Sequence, residues 1–175
     1  NVFIEPSHKL ASIAKMNSDG MLVTDTFENY YVGNKFDSIV MNPPFGKGGK
    51  TAVEHLAKAF RHLRDHGRIV AIIPEGPSAQ KYLDSWLYGN ENAQTKAERE
   101  GETDAIMVKE ISLPNITFER AATKVKTKII VIDKQLSQDG KNNTREGSFK
   151  DFSQAKDITE FFEKIENYSI PKRYT

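Results

Sequence analysis

Short apolar runs alternate with segments of helical period along this chain, the pattern of strands that are each followed by a covering helix. Strands are predicted near residues 2 to 5, 20 to 24, 37 to 41, 68 to 73, 105 to 112 and 126 to 133. Helices are predicted near 7 to 15, 51 to 66, 78 to 88 and 157 to 166. The second helix has the clearest face: Val53, Leu56, Ala57, Phe60 and Leu63 recur at helical spacing, Glu54, Lys58, Arg61 and Asp65 face water, and Gly67 supplies the stop. Such alternation gives an α/β class with a mainly parallel, helix-covered sheet. Residues 89 to 104 are polar throughout and read as a surface insertion able to carry a mobile helix, and residues 137 to 148 read as a loop. The tail from residue 149 carries Phe152, Ile158, Phe161, Phe162 and Ile165 at amphipathic-helix spacing. The chain divides into a core over 1 to 134 and an appendage over 135 to 175, which packs on the core or leads into a further domain.

Composition narrows the class without naming the chemistry. With 175 residues, 38% hydrophobic and 28% charged, the chain can bury one modest core. Its net charge of +1 gives no global preference for an acidic or basic partner. The absence of cysteine excludes a disulfide framework and thiolate metal ligation. No apolar run approaches the ~20 residues of a membrane span, and the amino terminus carries no signal-peptide pattern, so a cytoplasmic location is expected.

Chemistry concentrates where the third strand ends. Ile39, Val40 and Met41 run directly into Asn42-Pro43-Pro44-Phe45, with Gly46 beyond. Two prolines stop the strand, since proline fixes φ and offers no ladder donor. In a parallel α/β sheet that end faces the ligand crevice, so an Asn amide, an oriented Pro43 carbonyl and the Phe45 ring would meet one flat substrate. An ordinary strand-ending turn is the bland alternative, and the flanking strand and amphipathic helix weigh against it.

These residues resemble the class I S-adenosylmethionine-dependent methyltransferases that carry an Asn/Asp-Pro-Pro-Tyr/Phe motif, especially the N6-adenine DNA methyltransferases of restriction-modification and phage systems. The resemblance runs from residue 2 to about 134. Val2-Phe3-Ile4-Glu5 looks like the second strand of that family, and Met21-Leu22-Val23-Thr24-Asp25 like its third. Gly67-Arg68-Ile69-Val70-Ala71-Ile72-Ile73-Pro74 looks like the fifth strand, and residues 105 to 133 like the final pair. The implied fold is a Rossmann-like methyltransferase sheet, mostly parallel with an antiparallel last strand and incomplete at the amino terminus. The family's first strand and its Gly-rich turn would lie before Asn1, so the chain reads as a fragment whose central strand slot is filled by another segment or removed by rearrangement.

The resemblance also implies roles. Asn42, Pro43, Pro44 and Phe45 would be catalytic; Glu5 would hold the ribose hydroxyls of S-adenosylmethionine, with Asp25 and Phe27 at its adenine and Asn42 nearby. Phe45 and Phe118 would contact the target base, and Lys47 and Lys50 the nucleic-acid backbone. DNA is the implied partner, ahead of RNA, together with a missing upstream segment, a target-recognition domain or a further subunit. RNA guanine-amino and protein-glutamine methyltransferases share the motif and stay open as alternatives. So does a remnant that binds nucleic acid or a partner without catalysis.

Other signals are weaker. Gly46-Lys47-Gly48-Gly49-Lys50-Thr51 invites a phosphate-loop reading, but Pro44 stands where that loop needs glycine. Arg120, Lys124, Lys126 and Lys128 suit either a nucleic-acid surface or the lysine-bearing edge of a sheet. His62 and His66 lie one helical turn apart with no third ligand, and read as solvated residues rather than metal ligands.

Overall fold

The computed structural model describes residues 1 to 33, 35 to 102, 104 to 114, 125 to 135 and 149 to 173. It contains two compact units, residues 1 to 33 and 34 to 175.

The first unit is a strand, a helix and a parallel strand. β1 (Val2–Ile4) pairs in parallel with β2 (Met21–Val23), and α1 (His8–Met16) connects them. Helix α1 starts where Ser7 accepts from the Leu10 amide, satisfying a donor that the helix itself cannot. Beyond β2, Phe27–Asn29 form one 3-10 turn.

The second unit holds a five-stranded sheet in the order β3-β4-β6-β5-β7. Its strands are β3 (Phe36–Met41), β4 (Leu63–Pro74), β5 (Ala105–Ser112), β6 (Thr127–Lys134) and β7 (Phe149–Asp151). β3 and β4 are parallel, β5 and β7 are parallel, and β6 runs antiparallel to both β4 and β5. Four strands therefore share one direction and the last core strand opposes them, as expected. β7 lies in the tail, where only a helix was expected. No ladder joins β1-β2 to the five-stranded sheet among the described residues.

Burial explains the layers. Along β4, Ile69, Ala71 and Ile73 are fully buried and alternate with half-buried Val70 and Ile72, so the strand has two covered faces of unequal depth. α2 (Lys50–His62) packs on β4, and α3 (Pro77–Tyr88) packs on α2. On the Ile72 face, Ile111, Leu113, Ala155 and Phe161 form a cluster with Ile129, Phe152, Ile165 and Tyr168, seating α5 (Ile158–Glu166) on the sheet.

Three expectations need correction. The second helix ends at His62, not near residue 66, and Gly67 is not its stop. Leu63 continues the apolar spacing, but its side chain is buried from an extended backbone opposite Phe36 in the β3-β4 ladder. The ladder resumes at Ser38 opposite Arg68, so residues 64 to 67 form an irregularity in which His66 takes a φ of 61°. His62 and His66 consequently do not share a helix face, and His62 is buried rather than solvated. Third, β6 is an interior strand, so Lys128 is no edge lysine; it is 4% exposed and ion-paired with Glu110. Arg120, Lys124 and the loop 137 to 148 lie outside the described residues.

The polar insertion folds back on itself. Asn90 donates to Glu98 and Glu102 to the Trp86 carbonyl, while Gly89 and Gly101 meet so closely that a Cβ on Gly101 would lie 2.4 Å from the Gly89 nitrogen. Within it, Thr95 and Glu98 cap the short α4 (Lys96–Glu100) reciprocally.

Candidate active site

The carboxyl end of β3 presents Asn42 to solvent while Pro43 is buried, Pro44 exposed and Phe45 half-buried. The buried proline anchors the segment and leaves the preceding amide outside the packing. Among the described residues, neither the Asn42 side chain nor the Pro43 carbonyl oxygen is engaged by a protein donor. Two adjacent acceptors are thus left open at one strand end.

The turn that follows fixes their position. Gly46, Gly48 and Gly49 take φ values of 65°, 62° and 85°, a region open to glycine. A Cβ on Gly49 would lie 2.7 Å from the Ala79 Cβ and 2.9 Å from the Pro74 Cγ, so only glycine lets the loop sit this close to α3. The Phe45 carbonyl accepts from the Ala52 amide at 3.4 Å, tying the motif to the first turn of α2. Lys47 and Lys50 are exposed in the same turn, and Lys50 lies 3.6 Å from Glu54.

The strand ends of the first unit carry the other expected residues. Glu5 follows β1, its amide donating to the Val23 carbonyl and its Oε1 accepting from the Ser7 amide at 2.8 Å. Its carboxylate therefore also serves the start of α1. Asp25 follows β2 and accepts on Oδ1 from the Thr26 amide and the Asn29 side chain, with Phe27 half-buried beside it. Glu5 Oε2 and Asp25 Oδ2 receive no protein donor among the described residues. Each strand end keeps one carboxylate oxygen open to a hydroxyl or amino donor. Phe118 lies outside the described residues.

Two features escaped the sequence. Glu75, just past β4, accepts from the Ser112 hydroxyl at 2.8 Å, while its amide donates to the Lys126 carbonyl. A groove of about 430 Å3 lies between α2, α3 and α4, with Tyr82 and Trp86 in its wall; of the expected site residues only Lys50 reaches it. At its rim, burial and then the neighbouring Asp104 raise the Glu102 carboxyl above its ordinary range. The described residues contain no cluster of acidic and histidine side chains able to hold a metal ion, and no helix among them is long and apolar enough to cross a membrane.

Solved structures share this fold. A Listeria monocytogenes protein described as a class I S-adenosylmethionine-dependent methyltransferase superposes with a TM-score of 0.62 at 15% identity, covering 95% of this chain and 54% of its own. A Vibrio vulnificus protein described as a modification subunit of a type I restriction enzyme gives 0.57 at 13% identity, covering 98% and 42%. The M protein of the type I restriction enzyme EcoKI gives 0.52 at 14%, covering 86% and 34%. The chain thus spans about half the length, or less, of these structures. No protein of curated function matches it by sequence. Their common ground is the Rossmann-like methyltransferase fold. Residues 7 to 100, more than half of the chain, match the model of the methyltransferase small domain, and the chain belongs to that family. Its cofactor is S-adenosylmethionine.

Proposed function

We propose that this domain methylates the exocyclic amino group of adenine in DNA, with Asn42, Pro43, Pro44 and Phe45 as its catalytic segment. The observation that carries this reading is the pair of unengaged acceptors, the Asn42 side-chain oxygen and the Pro43 carbonyl oxygen, rooted by buried packing at a strand's carboxyl end. An adenine amino group is a poor nucleophile because its lone pair is delocalised into the ring. Two acceptors, one for each amino hydrogen, favour the tetrahedral nitrogen of the transition state over the planar ground state. Half-buried Phe45 offers a face on which the base stacks once it has left the duplex, offsetting part of the unstacking cost.

When bound, S-adenosylmethionine supplies a methyl group on a sulfonium centre, and its transfer asks chiefly for alignment. Glu5 Oε2 would accept from the ribose hydroxyls and Asp25 Oδ2 from the cofactor's adenine amino group, with Phe27 against that ring. Lys47, free of the Glu54 pairing that engages Lys50, is the better placed of the two lysines to meet a DNA phosphate. The modification subunit and the M protein among the structural neighbours support the choice of DNA, and suggest that the domain works beside other subunits.

Asn42→Ala in the full-length protein tests the assignment. Loss of one such contact should lower kcat by about 10²- to 10³-fold, while calorimetry shows S-adenosylmethionine binding as in the wild type. Equal loss of turnover and cofactor affinity, or unchanged turnover, contradicts the role.

A further inference from the structure

Beside the Gly48-Gly49 turn lies a polar network, buried at Lys128 and Glu110 and half-buried at Gln80 and Asp84, that the reaction itself does not use. Lys128 on β6 donates to Glu110 Oε2 on β5 and to Gln80 Oε1 on α3, both at 2.6 Å. Gln80 in turn donates to Asp84 Oδ1 at 2.7 Å. Lys128 is 4% exposed and Glu110 is 7% exposed. Burying two charges costs several kcal/mol in desolvation, and apolar replacements of similar volume are commonly as stable or more so. In the sheet Lys128 stands between Ile73 and Ser112. Stability is therefore a poor account of this pair.

Its geometry offers a better one. The residues just before Gln80, Ser78 and Ala79, are those against which Gly48 and Gly49 lie, at the Cβ separations of 3.3 and 2.7 Å that substituted side chains would have. From Gly49 the chain enters α2, whose Ala52 amide holds the Phe45 carbonyl. A second tie fixes the approach to α3, where Glu75 is held by the Ser112 hydroxyl and the Lys126 carbonyl. Apolar packing lets a helix slide on a sheet by fractions of an ångström; a directed ammonium contact does not.

We propose that Lys128 is a positioning residue: it fixes the first turn of α3 relative to the sheet, and so fixes the Gly48-Gly49 seat on which Asn42, Pro43, Pro44 and Phe45 depend. The catalytic part of this inference rests on the methyl-transfer reading above.

The test is the double substitution Lys128→Met with Glu110→Leu, which removes both charges together, beside Gln80→Met, which leaves the Lys128–Glu110 pair intact and severs the tie to α3 along with the Gln80–Asp84 contact. Both should fold with wild-type cooperativity. Amide exchange at Gly48, Gly49, Ala52 and Ala79 should accelerate by about 10-fold or more while that at Ile69, Ala71 and Ile73 stays unchanged. In the full-length protein kcat should fall by about 10- to 100-fold with the KM for S-adenosylmethionine unaltered. Unchanged exchange at the turn in folded variants overturns the proposal, as does a kcat equal to the wild type. A wild type that transfers no methyl group counts against the proposed function alone, and exchange at the turn then decides the positioning. Should the double variant fail to fold, Gln80→Met gives the same readouts.

Discussion

Asn42 has a fixed root and a free head, and the residues around it account for both. Pro43 is buried and Phe45 is held through its carbonyl, so the amide between strand and turn has little backbone freedom to lose when a substrate arrives. If stacking on a flipped base is the task of Phe45, Phe45→Ala should weaken the complex with DNA carrying the target adenine by ~1–3 kcal/mol. Fluorescence anisotropy with such a duplex checks this, and unchanged affinity makes the ring a packing residue. The motif was legible because two consecutive prolines after an apolar run leave few alternatives to a rigid strand end. Glu5 and Asp25 were legible as strand-end acids, and the fold adds their bonds to Ser7, Thr26 and Asn29, polar residues of the kind found in any turn. Lys128 was misread because its meaning depends on which strands flank β6, and strand order is a long-range property that a local pattern does not carry.

At the scale of elements, periodicity located the helices well and misplaced one end. Leu63 lies in phase with Val53, Leu56 and Phe60, so its apolar character extended the predicted helix; in the fold the same side chain is buried from an extended backbone. Tertiary pairing with Phe36 decides the matter over local spacing. Across β4 and β6, Arg68 grips Asp133 through two hydrogen bonds of 2.6 and 2.7 Å and also donates to the Pro171 carbonyl of the tail. Asp133→Ala strands that guanidinium and should cost about 3–5 kcal/mol in a denaturant titration; a loss below one unit would show that water takes the vacated place. At the insertion, Glu102 has a carboxyl raised by burial, then by Asp104. Between its ordinary and raised values the folded chain holds a proton that the unfolded chain releases, so stability falls as pH rises through that window. Glu102→Gln should therefore raise the melting temperature at about pH 7 and leave it nearly unchanged at about pH 3, where both states are protonated. Equal shifts at both pH values contradict a titration origin.

For the whole molecule, the strand order carries the most information, and the sequence reached it only through resemblance. Alternating strands and helices predicted a parallel α/β sheet; the antiparallel course of β6 between β4 and β5 is not written in any local pattern. A net charge of +1 gives little long-range attraction to DNA, so in the proposed complex local lysines would carry the salt dependence of binding. Lys47→Ala should reduce the slope of log K against log salt by about 0.9, the share of one phosphate contact; an unchanged slope removes Lys47 from the interface. The most direct measurement of the central claim is mass spectrometry of nucleosides from duplex DNA incubated with the full-length protein and S-adenosylmethionine. N6-methyladenine is the expected product, forming about 10²- to 10³-fold more slowly when Asn42 is replaced by Ala. Methyl groups on cytosine, on RNA guanine or on protein glutamine instead, or N6-methyladenine formed at the wild-type rate without Asn42, would contradict the central claim.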